Sequence, residues 1–515
     1  MADSSTGRAP YATAALVAAM SWCVFAATTG GSFATDLASY EVARAIVEEH
    51  SVAMRYDVFG TGYYERGVDG RFYAPVGLGH PLFGVPFYLA AKALTVAGFR
   101  AGKPETLTKA AVVIGSTVAA AGCIFFACLL AWRIWGDARA AVAASCLLAF
   151  GTPLWVYAKF GFNAPLAALC LTASAYGLWT GARTRDRRWL VAGGCALGYA
   201  VLTRHEMALA GLPAALWLWT ESRGEPRVRL RWLVAAGTPV LAGVLGWMIY
   251  NHVRFGHPLD TGLLRDPAAQ MNTPLFVGLH GLLLSPGRSL FLYAPVTTAG
   301  LLALWRHGRD DRATAWFLLL SAAVFLPVFA TLAQWDGGES YGPRYLVPIL
   351  PFVTLPVARW LRPTAPPGAR AVVLALGAIA LAVQLPGVLV DFNKAQLAFA
   401  RSRPDYSIAL TRYTWEGSPL VLNTRTAVRA VPDNLRYLTG LAEPPAVEGA
   451  ADESNRDFSQ QFAFSLDFWW LYLFYLGAIA RWTAVAAPVA LVASAALIAR
   501  RLQRSLHAKP SAGIR

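Results

Sequence analysis

Apolar residues fall in blocks along the chain, divided by short polar breaks that carry most of its arginines. A helix crosses a bilayer in roughly 20 residues, and the blocks Tyr11–Thr29 and Lys109–Ala131 show that length most plainly. No small-residue cleavage site precedes the polar loop after the first block, so it reads as a retained span. Basic clusters at Arg133–Arg139, Arg183–Arg188, Arg223–Arg231, Arg306–Arg312, Arg359–Arg370 and Arg500–Arg504 mark cytoplasmic breaks. Spans then fall at 11–29, 109–131, 140–158, 164–182, 189–203, 206–220, 231–250, 286–305, 313–334, 345–361, 370–389 and 480–499. The pattern predicts an all-α polytopic membrane protein with about twelve transmembrane helices and both termini inside.

One apolar stretch breaks the alternation. If Pro81–Phe99 crossed, every later basic cluster would change sides, so it is laid in the interface as a juxtamembrane or re-entrant helix; its Gly84, Pro86 and Lys92 suit that position. The competing reading is a thirteenth crossing. Residues 1–389 form a membrane module whose first outer loop is 30–108, residues 390–468 a small outer cap, and 469–515 a last membrane helix with a basic cytoplasmic tail.

Composition agrees. Hydrophobic residues make up 56% and charged residues 15% of the 515, and mean hydropathy is +0.43, which suits a membrane protein rather than a soluble enzyme. The net charge of +15 does not point to nucleic acid, because the arginines punctuate apolar spans and form no single stripe. All six cysteines lie in apolar segments, so neither a disulfide framework nor a thiolate metal site is implied. Arginine outnumbers lysine and alanine is abundant, an association with GC-rich bacterial genomes that places the chain in a bacterial cytoplasmic membrane.

The chemistry concentrates outside. Between Gly31 and Pro81 lie Asp36, Glu41, Glu48, Glu49, Asp57, Glu65 and Asp69, with aromatics such as Tyr73 and with His80 at the end. Asp36 either caps an amphipathic surface helix or, partly desolvated, acts as a general base. Arg204-His205-Glu206 joins two short spans almost without a loop. Charges there either pair with each other or serve a ligand, and the fork of Arg204 suits a phosphate. The turn from Gln334 to Tyr345 holds Trp335, Asp336, Glu339, Tyr341 and Arg344 among three glycines. It is either a plain interfacial turn or a place where backbone and aromatic faces meet a sugar. Asn251 belongs to a weaker cluster at Tyr250–Gly256, and His80, His252 and His257 lack metal-ligand spacing.

An acid just after the first span, a Gly-x-x-Tyr…Gly-x-x-x-Pro-Leu stretch (Gly70 to Leu82) and the Trp-x-Gly-Gly…Gly-Pro-Arg-Tyr turn together resemble the GT-C superfamily of integral-membrane glycosyltransferases. The branch is that of protein O-mannosyltransferases and aminoarabinose transferases. The likeness runs over most of residues 11–390 and is only architectural beyond. It implies transfer of a sugar from a polyprenyl-phosphate to an extracytoplasmic glycan, lipid or protein, with inversion. By that resemblance Asp36 is the catalytic base, and Arg204 and Arg344 meet the donor phosphate. Glu41, Tyr73, His80, Glu206, Asn251, Trp335, Asp336, Glu339 and Tyr345 line the substrates. Relatives carry a second acid in the loop where this chain has Tyr157–Asn163. Without it no divalent metal is expected and Lys159 stands in at the phosphate; a different donor or an inactive enzyme are the other outcomes. The rival class is a transporter or lipid flippase coupled through Arg204 and Glu206, which would place polar groups along a central path.

Overall fold

A computed structural model describes residues 8–30, 34–55, 64–99, 105–263, 266–443, 466–475 and 477–507. From the N-terminus come α1 (Arg8–Ala27), α2 (Ala34–Glu48), α3 (Gly79–Val96), α4 (Thr106–Trp135), α5 (Ala138–Phe150) and α6 (Leu154–Ala158). Next are α7 (Ala164–Thr184), α8 (Arg187–Thr203), α9 (Gly211–Glu221) and α10 (Pro226–Phe255). The second half holds α11 (Leu275–Leu284), α12 (Leu290–Tyr293), α13 (Val296–His307), α14 (Arg312–Ala323) and α15 (Leu326–Thr331). After α16 (Leu350–Thr354), α17 (Ala358–Leu361) and α18 (Pro367–Leu389) come α19 (Phe392–Arg401), α20 (Ile408–Tyr413) and α21 (Pro419–Thr439), then α22 (Trp469–Tyr475) and α23 (Arg481–His507). The only sheet among the described residues is a ribbon of β1 (Glu65–Arg66) and β2 (Phe72–Tyr73), antiparallel. The protein is all-α, as the hydropathy pattern predicts.

Helix ends follow local chemistry. The carboxylates of Asp137, Asp186, Asp311 and Asp391 accept backbone N–H groups at the starts of α5, α8, α14 and α19. Gly136 and Gly256 close α4 and α10 in the left-handed conformation, with φ of 69° and 77°. Among the described residues, six helical segments are long and apolar enough to cross a membrane: Pro10–Ala27, Thr106–Trp135, Pro226–Phe255, Arg312–Thr331, Pro367–Leu389 and Arg481–His507. Of the other predicted spans, 164–182 and 189–203 are the single helices α7 and α8, and others are built from shorter pieces. Pro153 separates α5 from α6, and Pro348, Pro351 and Pro356 divide 344–361 into short 3₁₀ and α turns, because proline removes a helix donor and crowds the preceding turn.

The core is a row of helices packed side by side. α4 lies between α1 and α7, α7 packs on α8, and α8 on α10. Small residues bring the row together: a Cβ on Gly193 would stand 2.9 Å from the Leu178 nitrogen of α7, and one on Gly198 2.5 Å from the Pro239 carbonyl of α10. α3, the stretch expected at the interface, packs on α2, α4 and α8 and leaves Leu89, Leu94 and Val96 exposed. Three basic clusters gather at one end of the bundle. Arg183 pairs with Asp311 at 2.7 Å and Arg359 with Asp310 at 2.5 Å. The cap predicted at 390–468 is helical in α19–α21, and its residues 444–465 lie outside the described ones.

Candidate active site

α8 ends at Arg204, whose extended backbone (φ −149°, ψ 114°) turns the chain into the short 3₁₀ segment His205–Ala210. The side chain is mostly buried. Its Nε and Nη2 reach Glu206 Oε1 at 2.7 and 2.5 Å, and its guanidinium carbon lies 5.6 Å from the ring centres of both Phe329 and Tyr345. Arg344 follows Gly342, whose φ of 68° suits glycine, and Pro343. Its guanidinium carbon lies 5.3 Å from the same Tyr345 ring and 5.4 Å from Phe162. Two arginines far apart in sequence thus flank one aromatic ring. The Arg204–Glu206 pair of the plainer reading is present too.

The end of the first loop lands on this corner. A Cβ on Gly77 would stand 2.4 Å from the Thr203 carbonyl, and one on Gly79 2.4 Å from Thr203 Oγ1. The Tyr199 hydroxyl donates to the Gly79 carbonyl at 2.8 Å. Backbone therefore lies directly on the last residue before Arg204, which explains the two glycines. His80 follows, buried, with Nδ1 3.0 Å from Ser39 Oγ of α2; desolvation pushes its pKa down to about 4, so the ring is neutral at pH 7.

Asp36 occupies the first turn of α2, one turn before Ser39; its side chain lies outside the described residues. α2 itself departs from the expected half-exposed surface helix, since Ala38 to Ala45 are all buried. Glu41 is 1% exposed because Arg44 Nε donates to it at 2.9 Å; Arg44 also reaches Glu49 at 2.7 Å. Glu41 is thus a structural pair in the α2 wall, not a group facing a substrate as expected. Tyr73 is likewise buried and donates to Asp69 at 2.8 Å. Asn251 is fully buried, accepting from Arg254 Nη2 at 2.8 Å, and Arg254 Nη1 holds the Ala74 carbonyl at 2.7 Å. These residues brace the first loop against α10.

The turn at 334–345 is held from outside itself. Arg412 of α20 grips Asp336 bidentately at 2.8 and 2.9 Å. Arg288, fully buried, donates to the Asp336 and Gly338 carbonyls at 3.1 and 2.7 Å and to Gln396 at 3.1 Å. The Tyr157 hydroxyl accepts from the Tyr341 N–H at 3.0 Å. Trp335 and Asp336, expected against a sugar, are buried; Trp335 lies over Gly281 and beside Tyr413. Glu339 is exposed, and Tyr345, near both arginines, is half-buried.

Lys159 also departs from expectation. Its ammonium is wholly buried, 2.7 Å from Asp467 Oδ2 and 2.8 Å from the Val388 carbonyl, so it is committed to a structural partner instead of a donor phosphate. Around this pair the chain closes: Asp467 N–H donates to the Leu389 carbonyl, Trp469 N–H to Thr29, and the Trp469 and Trp470 indoles to Ala26 and Ala27. Arg288, Arg412 and Asp467 did not stand out as functional candidates, and Arg254 figured only within the weaker Tyr250–Gly256 cluster. The usable signal was a charge inside an apolar or aromatic run at Arg288 and Asp467. Among the described residues no three His, Cys, Asp or Glu side chains gather as a metal site would require.

Residues 105–250 match the family model described as dolichyl-phosphate-mannose-protein mannosyltransferase. No curated protein matches the chain. Among solved structures, ArnT from Cupriavidus metallidurans bound to undecaprenyl phosphate is similar over 89% of this chain and 85% of its own, with TM-score 0.51 and 17% identity. The same protein in the apo state matches at TM-score 0.51 and 18% identity. The oligosaccharyltransferase of Archaeoglobus fulgidus in the apo form aligns over 77% of this chain and 58% of its own, with TM-score 0.45 and 13% identity. The chain therefore has the fold of ArnT.

Proposed function

We propose that the chain is a membrane glycosyltransferase that moves a sugar from a polyprenyl-phosphate donor to an acceptor hydroxyl outside the cytoplasmic membrane. The observation that carries this reading is the convergence of Arg204 and Arg344 on the Tyr345 ring, 5.6 and 5.3 Å from its centre, where the first loop meets the bundle. The GT-C fold and the undecaprenyl phosphate bound to ArnT support it. The acceptor hydroxyl attacks the anomeric carbon from the face opposite the phosphate, and the carbon–oxygen bond to phosphate breaks. Asp36 takes the hydroxyl proton, the two guanidiniums meet the charge left on the phosphate, and the configuration inverts. Those guanidiniums supply countercharge that a divalent cation would otherwise provide. A cell-envelope glycan, lipid or protein is the acceptor class.

Each guanidinium gives charge-assisted hydrogen bonds worth roughly 1.5–3 kcal/mol to a charged group. Arg204→Lys and Arg344→Lys keep charge and lose the fork, so each should weaken undecaprenyl phosphate binding about tenfold. Alanine at both should leave no saturable binding. Unchanged affinity in the double variant would move the donor elsewhere and favour the transporter reading.

Orientation is tested separately. A cysteine at exposed Thr424 of α21 should react with an impermeant maleimide in whole cells, whereas one at exposed Thr184 should react only after lysis. The reverse pattern would place the arginine corner in the cytoplasm and end the proposal.

A further inference from the structure

α21 has one face in the protein and one outside. Leu422, Asn423, Thr426, Ala427, Ala430 and Asn434 are buried. Arg425, Arg429 and Arg436 follow one another on the opposite face at helical spacing, beside Val428 and Leu435, which are 68% and 55% exposed. The one acid on the helix, Asp433, is 3.9 Å from Arg436, and both are exposed.

Its placement says what that face meets. Near its start, Asn423 Nδ2 donates to the Pro386 carbonyl at 3.2 Å, in the last turn of α18. Near its end, Asn434 accepts from the Tyr475 hydroxyl at the end of α22, and Gly440 lies beside Arg481, the first residue of α23. Both α18 and α23 are among the segments apolar enough to cross a membrane. α21 thus runs from the end of one such helix to the start of another. Leu441 and Trp482, near its far end, are 81% and 74% exposed. A helix with arginines between exposed apolar side chains has the make-up of an interfacial anchor.

We infer that the outer face of α21 binds the anionic headgroups of the surrounding bilayer through Arg425, Arg429 and Arg436. The exposed Val428 and Leu435 reach the acyl boundary while the guanidiniums meet phosphates, and long arginine stems allow both at once. The observations favour lipid over a soluble acidic polymer because the apolar side chains alternate with the arginines on one exposed face.

The test uses the full chain in zwitterionic detergent, with Cys195→Ser removing the exposed native thiol and an environment-sensitive fluorophore on Thr424→Cys, on the outer side of α21. Phosphatidylglycerol is titrated in. The fluorophore signal should saturate, and Arg425→Gln/Arg429→Gln/Arg436→Gln together should raise the half-saturating mole fraction about a hundredfold, taking roughly fivefold per arginine near an anionic surface. Lysine at all three positions should keep most of the response. These sites are exposed, and an unchanged melting temperature without phosphatidylglycerol verifies folding. An unaltered titration in the glutamine variant overturns the inference. So does a response to soluble polyglutamate but not to phosphatidylglycerol, which would make the face a site for an acidic polymer.

Discussion

Asp36→Asn should lower sugar transfer by at least roughly 10²-fold, the effect of losing a general base, with the protein still folded. α2 begins at Ala34, so Asp36 lies in its first turn and not at the N-cap; asparagine keeps the size of aspartate, so a residue with only a structural part in that turn would tolerate the change. A base would not, because the amide cannot take the acceptor's proton. The two readings therefore predict different turnover at equal stability, measured as initial rate beside melting temperature. The structure also narrows where a replacement base could be. Glu41 is buried against Arg44, and Asp336 is buried in the bidentate fork of Arg412, so each carboxylate already has a guanidinium partner. Near-normal turnover in Asp36→Asn would sink the base assignment and leave exposed Glu339 as the remaining acid of the outer turn.

The second large effect concerns stability. Asp467→Ala or Lys159→Met should each destabilise the protein by about 3–5 kcal/mol, the usual consequence of leaving one member of a buried ion pair uncompensated. Both side chains are fully buried and 2.7 Å apart, and the Tyr472 hydroxyl donates to the same carboxylate. The double variant Lys159→Met/Asp467→Leu should recover most of the loss, since two apolar side chains leave no stranded charge. Melting temperatures in detergent, with a double-mutant cycle, measure it. Single variants within about 1 kcal/mol of the parent, as at an exposed pair, would mean that the pair is solvated. Because this pair joins the exit of α1 to residues 388–389 and 466–470, its loss should also disturb the chain that leads to Asp36.

The helices were legible because hydropathy and caps are local. Twenty apolar residues can satisfy their backbone groups in a bilayer only as a helix, and Asp137, Asp186 and Asp311 announce their helix starts from their own positions. The corner at Arg204 and Arg344 was legible for a related reason. Charge beside hydrocarbon is costly unless it is used, so each arginine marked itself, whereas the packing of Gly77 and Gly79 on Thr203 emerged only from the fold.

Which charges face a ligand and which face each other was not legible. Lys159, Glu41, Asp336 and Trp335 are residue types that a sugar-phosphate site uses, and they lie in loops where one would look. Their partners Asp467, Arg44, Arg412 and Gly281 come, except for Arg44, from distant parts of the chain. Only the packed chain brings them within bonding distance. The sequence by itself determined the membrane class and the helical segments and singled out Arg204 and Arg344 one by one, since each follows from the free energy of placing short stretches or single charges in an apolar medium. Tertiary structure decided that α2 is a buried wall, that Lys159 is spent on Asp467, and that Arg204 and Arg344 share Tyr345. Those outcomes depend on long-range pairing, to which no local preference gives access.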